Sequence, residues 1–175
     1  VGHSARDTFR VLHGLGVPME PKAFSMGVRI EHRQSMVNES QYGAFADRLG
    51  AADYKLNARF SDGTSAYTFC MCPGGKVVAA ASEEGGVVTN GMSDFARDGE
   101  NANAALLVTL TPEDFPGEGV LAGMEWQRQI EQAAFCAGGG DYRAPAQLVG
   151  DFLARRPSRA LGAVRPTYRP GVQLC

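Results

Sequence analysis

Tryptophan occurs once in these 175 residues and cysteine four times, and no apolar run approaches the length of about 20 that a membrane helix needs. The longest apolar stretches, such as 77–81 and 104–110, fall well short of it, and no charged-then-apolar leader opens the chain. A soluble, cytoplasmic protein is expected. There is no basic block, and 17 Lys and Arg against 19 Asp and Glu leave a formal charge of -2, so neither nucleic acid nor an anionic membrane is an expected partner. Cysteines at positions 70, 72, 136 and 175 are too sparse for a secreted disulfide framework. The C-x-C spacing of Cys70 and Cys72 is not that of a zinc knuckle, and His3, His13 and His32 lie far away in sequence, so no metal site is expected. None of the 22 glycines forms G-x-G-x-x-G between a strand and a helix, and the phosphate loop G-x-x-x-x-G-K-[ST] is absent. No dinucleotide-binding fold starts in this chain.

What is present is a real core's worth of apolar residues, 44%, in patterns that change along the chain. The spacing of Phe9, Val11, Leu12 and Leu15 predicts a helix of about three turns, with Ser4 as its cap, Asp7 as a capping-box analogue, and Gly14, Gly16 and Pro18 ending it. "KAFSMGVRIEHR" alternates, with Phe24, Met26, Val28 and Ile30 on one face, which predicts a half-buried strand. "DYKLNARF" and "TSAYTFCMC" flank Ser61-Asp62-Gly63 and predict a hairpin. In the second of these, alternation puts Cys70 and Cys72 on one face, with Tyr67, Phe69 and Met71 on the opposite, core-facing side. "KVVAAASEE", "GGVVTNG" and "ANAALLVTLTP" add apolar strands. From Gly119 the period becomes helical up to the triplet 138–140, and "APAQLVGDFLARRP" predicts a second helix.

The expected fold is therefore α+β, a mostly antiparallel sheet with a small helical subdomain. The expected organisation is a connecting helix over 1–19, a sheet-rich domain over 20–117, a helical subdomain over 118–156 and a return linker over 157–175 that contains Pro157, Pro166 and Pro170. His3, Ser4 and Asp7 superficially resemble a catalytic triad, but neighbours at one helix start cannot orient one another as nucleophile, base and orienter. An uncovered helix N-terminus bearing glycine does suit an anionic cofactor group. "PGGK" after a strand reads as an ordinary turn, although glycines also admit close approach of a flat ligand. The run from Glu83 to Asn103 is crowded with charge and amide; as a solvated loop it needs no function, yet rigid strands flank it, and such loops build sites.

"GHSARDTF", "PMEPKAFSMGVRIEH", "LGAADYKL", the succession "CMCPGG…SEEG…TNGMS…ARDGENAN", "GMEWQRQIEQAAF", "GGGDYRAPAQLVGDFL" and "RPTYRPGV" occur in this order. Together they resemble the central region of a bacterial family of uncharacterised FAD-dependent oxidoreductases, the FAD-utilising dehydrogenases. The resemblance implies a flavin domain elsewhere in a longer chain and makes these residues the inserted, substrate-facing domain, with the flavin domain of the same chain and a small-molecule substrate as partners. It implies that Gly2, His3, Ser4 and Arg6 lie near FAD, and that Cys70, Cys72, Pro73, Gly74 and Gly75 sit over the flavin ring. The two thiols then do either redox work or packing at the flavin face. Arg29, Asn90, Ser93, Arg97, Asn101 and Asn103 are the substrate-binding candidates. This chain alone is expected to be inactive and not to retain FAD. The rival reading is a stand-alone module that binds a small ligand or a protein without catalysis.

Overall fold

A computed structural model describes residues 2–175. Four α-helices and eight strands follow in the order α1 (Arg6–Gly14), β1 (Phe24–Arg33), α2 (Gln34–Tyr42), β2 (Asn57–Arg59), β3 (Ser65–Cys72), β4 (Gly75–Ala79), β5 (Thr89–Ser93), β6 (Asn101–Leu110), α3 (Ala122–Ala137), β7 (Ala144–Ala146), α4 (Val149–Leu153) and β8 (Val172–Leu174). The fold is α+β and mostly antiparallel, as the patterns predict. No helix among the described residues is long and apolar enough to cross a membrane.

The main sheet has the order β1-β6-β3-β2, so β6 is paired on both sides. Its ladder with β1 is unbroken from Phe24 opposite Leu110 to Arg33 opposite Asn101. The predicted hairpin forms where Phe60 N–H donates to Thr64 O and the Asp62 carboxylate accepts from Thr64 N at 2.9 Å, holding the turn that joins β2 to β3. β4 and β5 form a separate antiparallel pair, and β7 and β8 a parallel one.

Several expectations fail for physical reasons. Ser4 does not cap α1: the helix begins after Ala5, no side chain caps it, and Asp7 accepts from its neighbour Thr8 N instead. The aromatic face of β3 is not the core side, because Thr68 and Cys72 are buried while Phe69 is exposed. The second predicted helix shrinks to α4, since Ala144–Ala146 pair with Val172–Leu174 as strand. Helix α2 carries too few apolar residues to announce itself. It is held by polar bonds: Gln34 Oε1 accepts from Gly74 N at 2.7 Å, Gln34 Nε2 donates to Ala52 O at 2.9 Å, and Asn38 Oδ1 accepts from Ala52 N at 2.9 Å. Val37 then packs on Ala52 and Ala102.

Apolar surface remains abundant. Val28 lies opposite Leu106 and Met26 opposite Val108, and Val28, Leu106 and Val108 are all exposed on one face of the main sheet. The accessible area is 11401 Å², against about 8,200 Å² for an ordinary monomer of 18.6 kDa. The excess is on the scale of one side of a large, permanent interface.

An ion cluster ties α1 to α3. Arg6, 1% exposed, donates from Nη1 to Glu131 Oε2 at 2.9 Å and from Nη2 to Glu131 Oε1 at 2.6 Å, and its Nη1 lies 3.0 Å from Glu83 Oε2. His3 Nε2 lies 2.7 Å from Glu131 Oε1. Burial alone would raise the Glu131 carboxyl, but the hydrogen bonds from Arg6 and His3 outweigh it and hold the group below its ordinary value of 4.5. A depressed carboxylate stabilises the fold fully above that value, and the contribution is lost as pH falls through the folded-state pKa. Glu131→Gln is therefore expected to cost about 3 kcal/mol at neutral pH and to flatten the loss of stability between neutrality and acid, as read from urea midpoints across pH. An unchanged acid limb in the variant would contradict this.

Candidate functional site

The site begins at a break in β3. Phe69 pairs with Ala105, but the next pair is Cys72 with Asn103, so β3 holds one residue more than β6 across this step. Cys70 carries the bulge, with φ of +45°, a left-handed conformation that costs a non-glycine residue about 1–3 kcal/mol. The bulge resets the alternation. Cys70 becomes exposed and Cys72 buried, so the two thiols are not presented together as an unbroken strand would present them.

The Cys70 carbonyl is turned toward Arg29, whose Nη1 donates to it at 3.4 Å, and Cys72 Sγ donates to the same oxygen at 3.2 Å. Arg29 Nη1 also donates to Asn103 Oδ1 at 2.7 Å, and Nη2 donates to Asn90 Oδ1 at 3.2 Å. Arg29, Asn103 and Cys72 lie on one face of the main sheet, on adjacent strands. Strand β5 closes over them. Gly91 is needed there, since a Cβ would strike Asn103 Oδ1 and Arg29 Nη1 and come within 2.8 Å of Cys72 Sγ. Burial raises the Cys72 thiol more than Arg29 lowers it, so Cys72 is a neutral thiol near pH 7. Burial lowers Arg29 from its ordinary value in turn, a shift that leaves the guanidinium charged.

Of the residues proposed from sequence, Arg29, Cys70, Cys72, Asn90 and Asn103 thus meet in one cluster. Ser93 adjoins it, donating to Pro73 O at 2.7 Å. The others do not join. Asn101 donates to Glu31 Oε1 at 2.9 Å and to Arg165 O at 2.8 Å. Arg97 lies on a loop bordering a shallow cleft of about 340 Å³ with Arg33, Gln34 and Glu100. Its carbonyl backs onto Gly74, where any Cβ would collide with it, and Gly99 N donates to Gly74 O. Pro73, Gly74 and Gly75 are all buried, Gly74 against Arg97 and Gly75 against Met92 and Cys72, so the two glycines serve internal packing. Gly2, His3, Ser4 and Arg6 belong to the α1 end, where His3 and Arg6 are engaged by Glu131.

Sequence reasoning missed Glu31, which sits on the same sheet face two residues from Arg29. Its carboxylate accepts from Thr167 N at 3.1 Å and from Thr167 Oγ1 at 2.5 Å as well as from Asn101, fastening the C-terminal segment across the sheet. Thr167 Oγ1 in turn accepts from Val77 N at 2.8 Å. Alternation along β1 placed Glu31 on a polar face; nothing local pointed to Thr167.

The bulge makes a testable difference between the thiols. Brief iodoacetamide treatment of the native chain is expected to label Cys70, Cys136 and Cys175, which are exposed, and to spare Cys72 until denaturant is added. Equal labelling rates at Cys70 and Cys72, read by peptide mass, would overturn the inward placement of Cys72.

An uncharacterised protein of Clostridium beijerinckii is 54% identical over 177 residues, an alignment that covers 99% of this chain and 33% of that protein. The chain thus spans about a third of the length of its relative. The family model described as "FAD-dependent protein, C-terminal domain-like" matches residues 23–175, nearly the whole fold, and the chain belongs to that family.

Proposed function

We propose that this chain is the substrate-facing domain of an FAD-dependent oxidoreductase, covering a flavin that is held by other polypeptide of the same longer protein. The accessible area carries the reading: a chain of this size exposing 11401 Å² has apolar faces made to be covered. The family match and the threefold greater length of the relative support a reading in which further polypeptide, carrying FAD, covers them.

The residues present do not form an FAD site by themselves. No glycine fingerprint offers backbone amides to a pyrophosphate, and α1 begins beside a salt-bridged His3 and Arg6 rather than an open cradle. Gly74 and Gly75 are filled by the chain's own backbone. What this domain offers is a sheet face that orients a substrate and excludes water, with electron transfer belonging to the flavin when bound. On that face the exposed residues Phe69 and Cys70 and the half-buried Arg29 beside them are the groups we assign to the substrate side. Cys70 has no neighbouring thiol presented beside it, and its role in this reading is contact rather than redox exchange.

Purification tests the division of labour. The chain expressed alone is expected to be colourless and to lack a flavin absorbance band after gel filtration, while the longer protein carrying it is yellow. Stoichiometric flavin retained by the chain alone would overturn the proposal, as would a colourless longer protein reconstituted with excess FAD.

A further inference from the structure

Two arginines of this chain are withdrawn from water, and they are treated oppositely. Arg6 is raised above its ordinary value, chiefly by its hydrogen bond to Glu131 and against the penalty of burial, with Glu83 adding to the effect. Arg29 is lowered, chiefly by burial, and its hydrogen-bond acceptors are all neutral: Asn103 Oδ1, Asn90 Oδ1 and the Cys70 carbonyl. Among the described residues no carboxylate pairs with it. A half-buried guanidinium in this state keeps a full positive charge that the fold does not neutralise.

The spare hydrogen-bonding capacity around it is all of one kind. Arg29 Nε and Asn103 Nδ2 are buried and have no partner, and both are donors. Asn103 is fully buried, at 0% exposure, near the start of the doubly paired strand β6, a position where an orphan amide is costly. The cluster therefore lacks acceptors and negative charge together. Beside it, Phe69 lies on the same sheet face, in register with Ala105 and through it with Arg29, and is 57% exposed. Asn90, which is exposed, makes the longer of the two bonds from Arg29 to a side chain, at 3.2 Å against 2.7 Å for Asn103.

We propose that Arg29, positioned by Asn103, binds the oxyanion of a small molecule, a carboxylate or a phosphate, whose apolar body lies against Phe69. A planar guanidinium presents parallel donors to such a group, and a low-dielectric surround strengthens the pair. That the oxyanion belongs to the molecule oxidised or reduced by the flavin rests on the reading given above; the binding itself does not.

The test is a titration of the flavin-free chain, labelled with ¹⁵N at arginine Nε, with acetate, with inorganic phosphate and, separately, with FAD. Either small anion is expected to shift the Arg29 Nε–H resonance saturably. Arg29→Gln is expected to weaken that anion at least about tenfold by calorimetry, the loss of one charge-assisted hydrogen-bonding group. Arg59→Gln, at an exposed arginine of β2, should leave affinity unchanged. Asn103→Asp supplies an internal carboxylate and should abolish anion binding while the chain stays folded. The inference is overturned if neither anion shifts the resonance, if only FAD does, or if a folded Arg29→Gln chain binds as well as the wild type. Because the wild-type titration reads Arg29 directly, a variant that fails to fold leaves the answer intact. A chain that retains flavin yet binds phosphate at Arg29 sinks the division of labour alone, and a colourless chain indifferent to both anions sinks the anion site alone.

Discussion

Strand β6 is the constraint on which the architecture turns. It is the one strand of the main sheet flanked by long partners, and from Asn101 to Ala105 both of its faces are buried. A strand closed on both faces is ordinarily filled with aliphatic side chains. Here the sequence alternates alanine with asparagine, so small residues permit α2 to approach on one side while amides demand partners on the other. Asn101 finds Glu31 and Arg165, and Asn103 finds Arg29. The hydrogen-bonding needs of two amides thus determine where the C-terminal segment crosses the sheet and where a cation is held.

The same logic sets the bulge in β3. Had the strand continued without interruption, its register with β6 would have placed Met71 rather than Cys72 against Asn103. The extra residue turns Met71 toward the cluster of Val37, Ala52 and Ala102 and turns Cys72 beneath Gly91. The unfavourable φ at Cys70 is offset by two hydrogen bonds to its carbonyl. Strain, a captured carbonyl and an unneutralised guanidinium are therefore one arrangement, assembled where β1, β3, β5 and β6 meet.

Long, regular elements were legible from the residues alone. The alternation of β1, the apolar length of β6, the turn at Ser61–Gly63 and the helical period of α3 each carry a local signal, and each forms where expected. What stayed hidden depends on partners far along the chain. Helix α2 shows only Met36 and Val37 as apolar neighbours, and its stability comes from Gln34 and Asn38 reaching Ala52 and Gly74. Ala144–Ala146 look like a helix start because proline suits that position, and become strand through pairing with β8. Of the candidate residues, Arg29, Asn90 and Asn103 come together in one cluster, whereas nothing local announces that the counter-ion of Arg6 lies on α3 or that Gly74 abuts Arg97.

The β1–β6 ladder also bears on how such a chain comes to be folded. Phe24 must wait for Leu110 and Arg33 for Asn101, so the first long strand leaves the ribosome well before its mate exists. Throughout that interval β1 carries unpaired amides and the apolar stripe of Met26, Val28 and Ile30, a template for adventitious pairing. Entropy of closing so distant a contact makes the nucleus slow to assemble. Shielding of this early strand during translation therefore bears on yield in the cell alongside final stability.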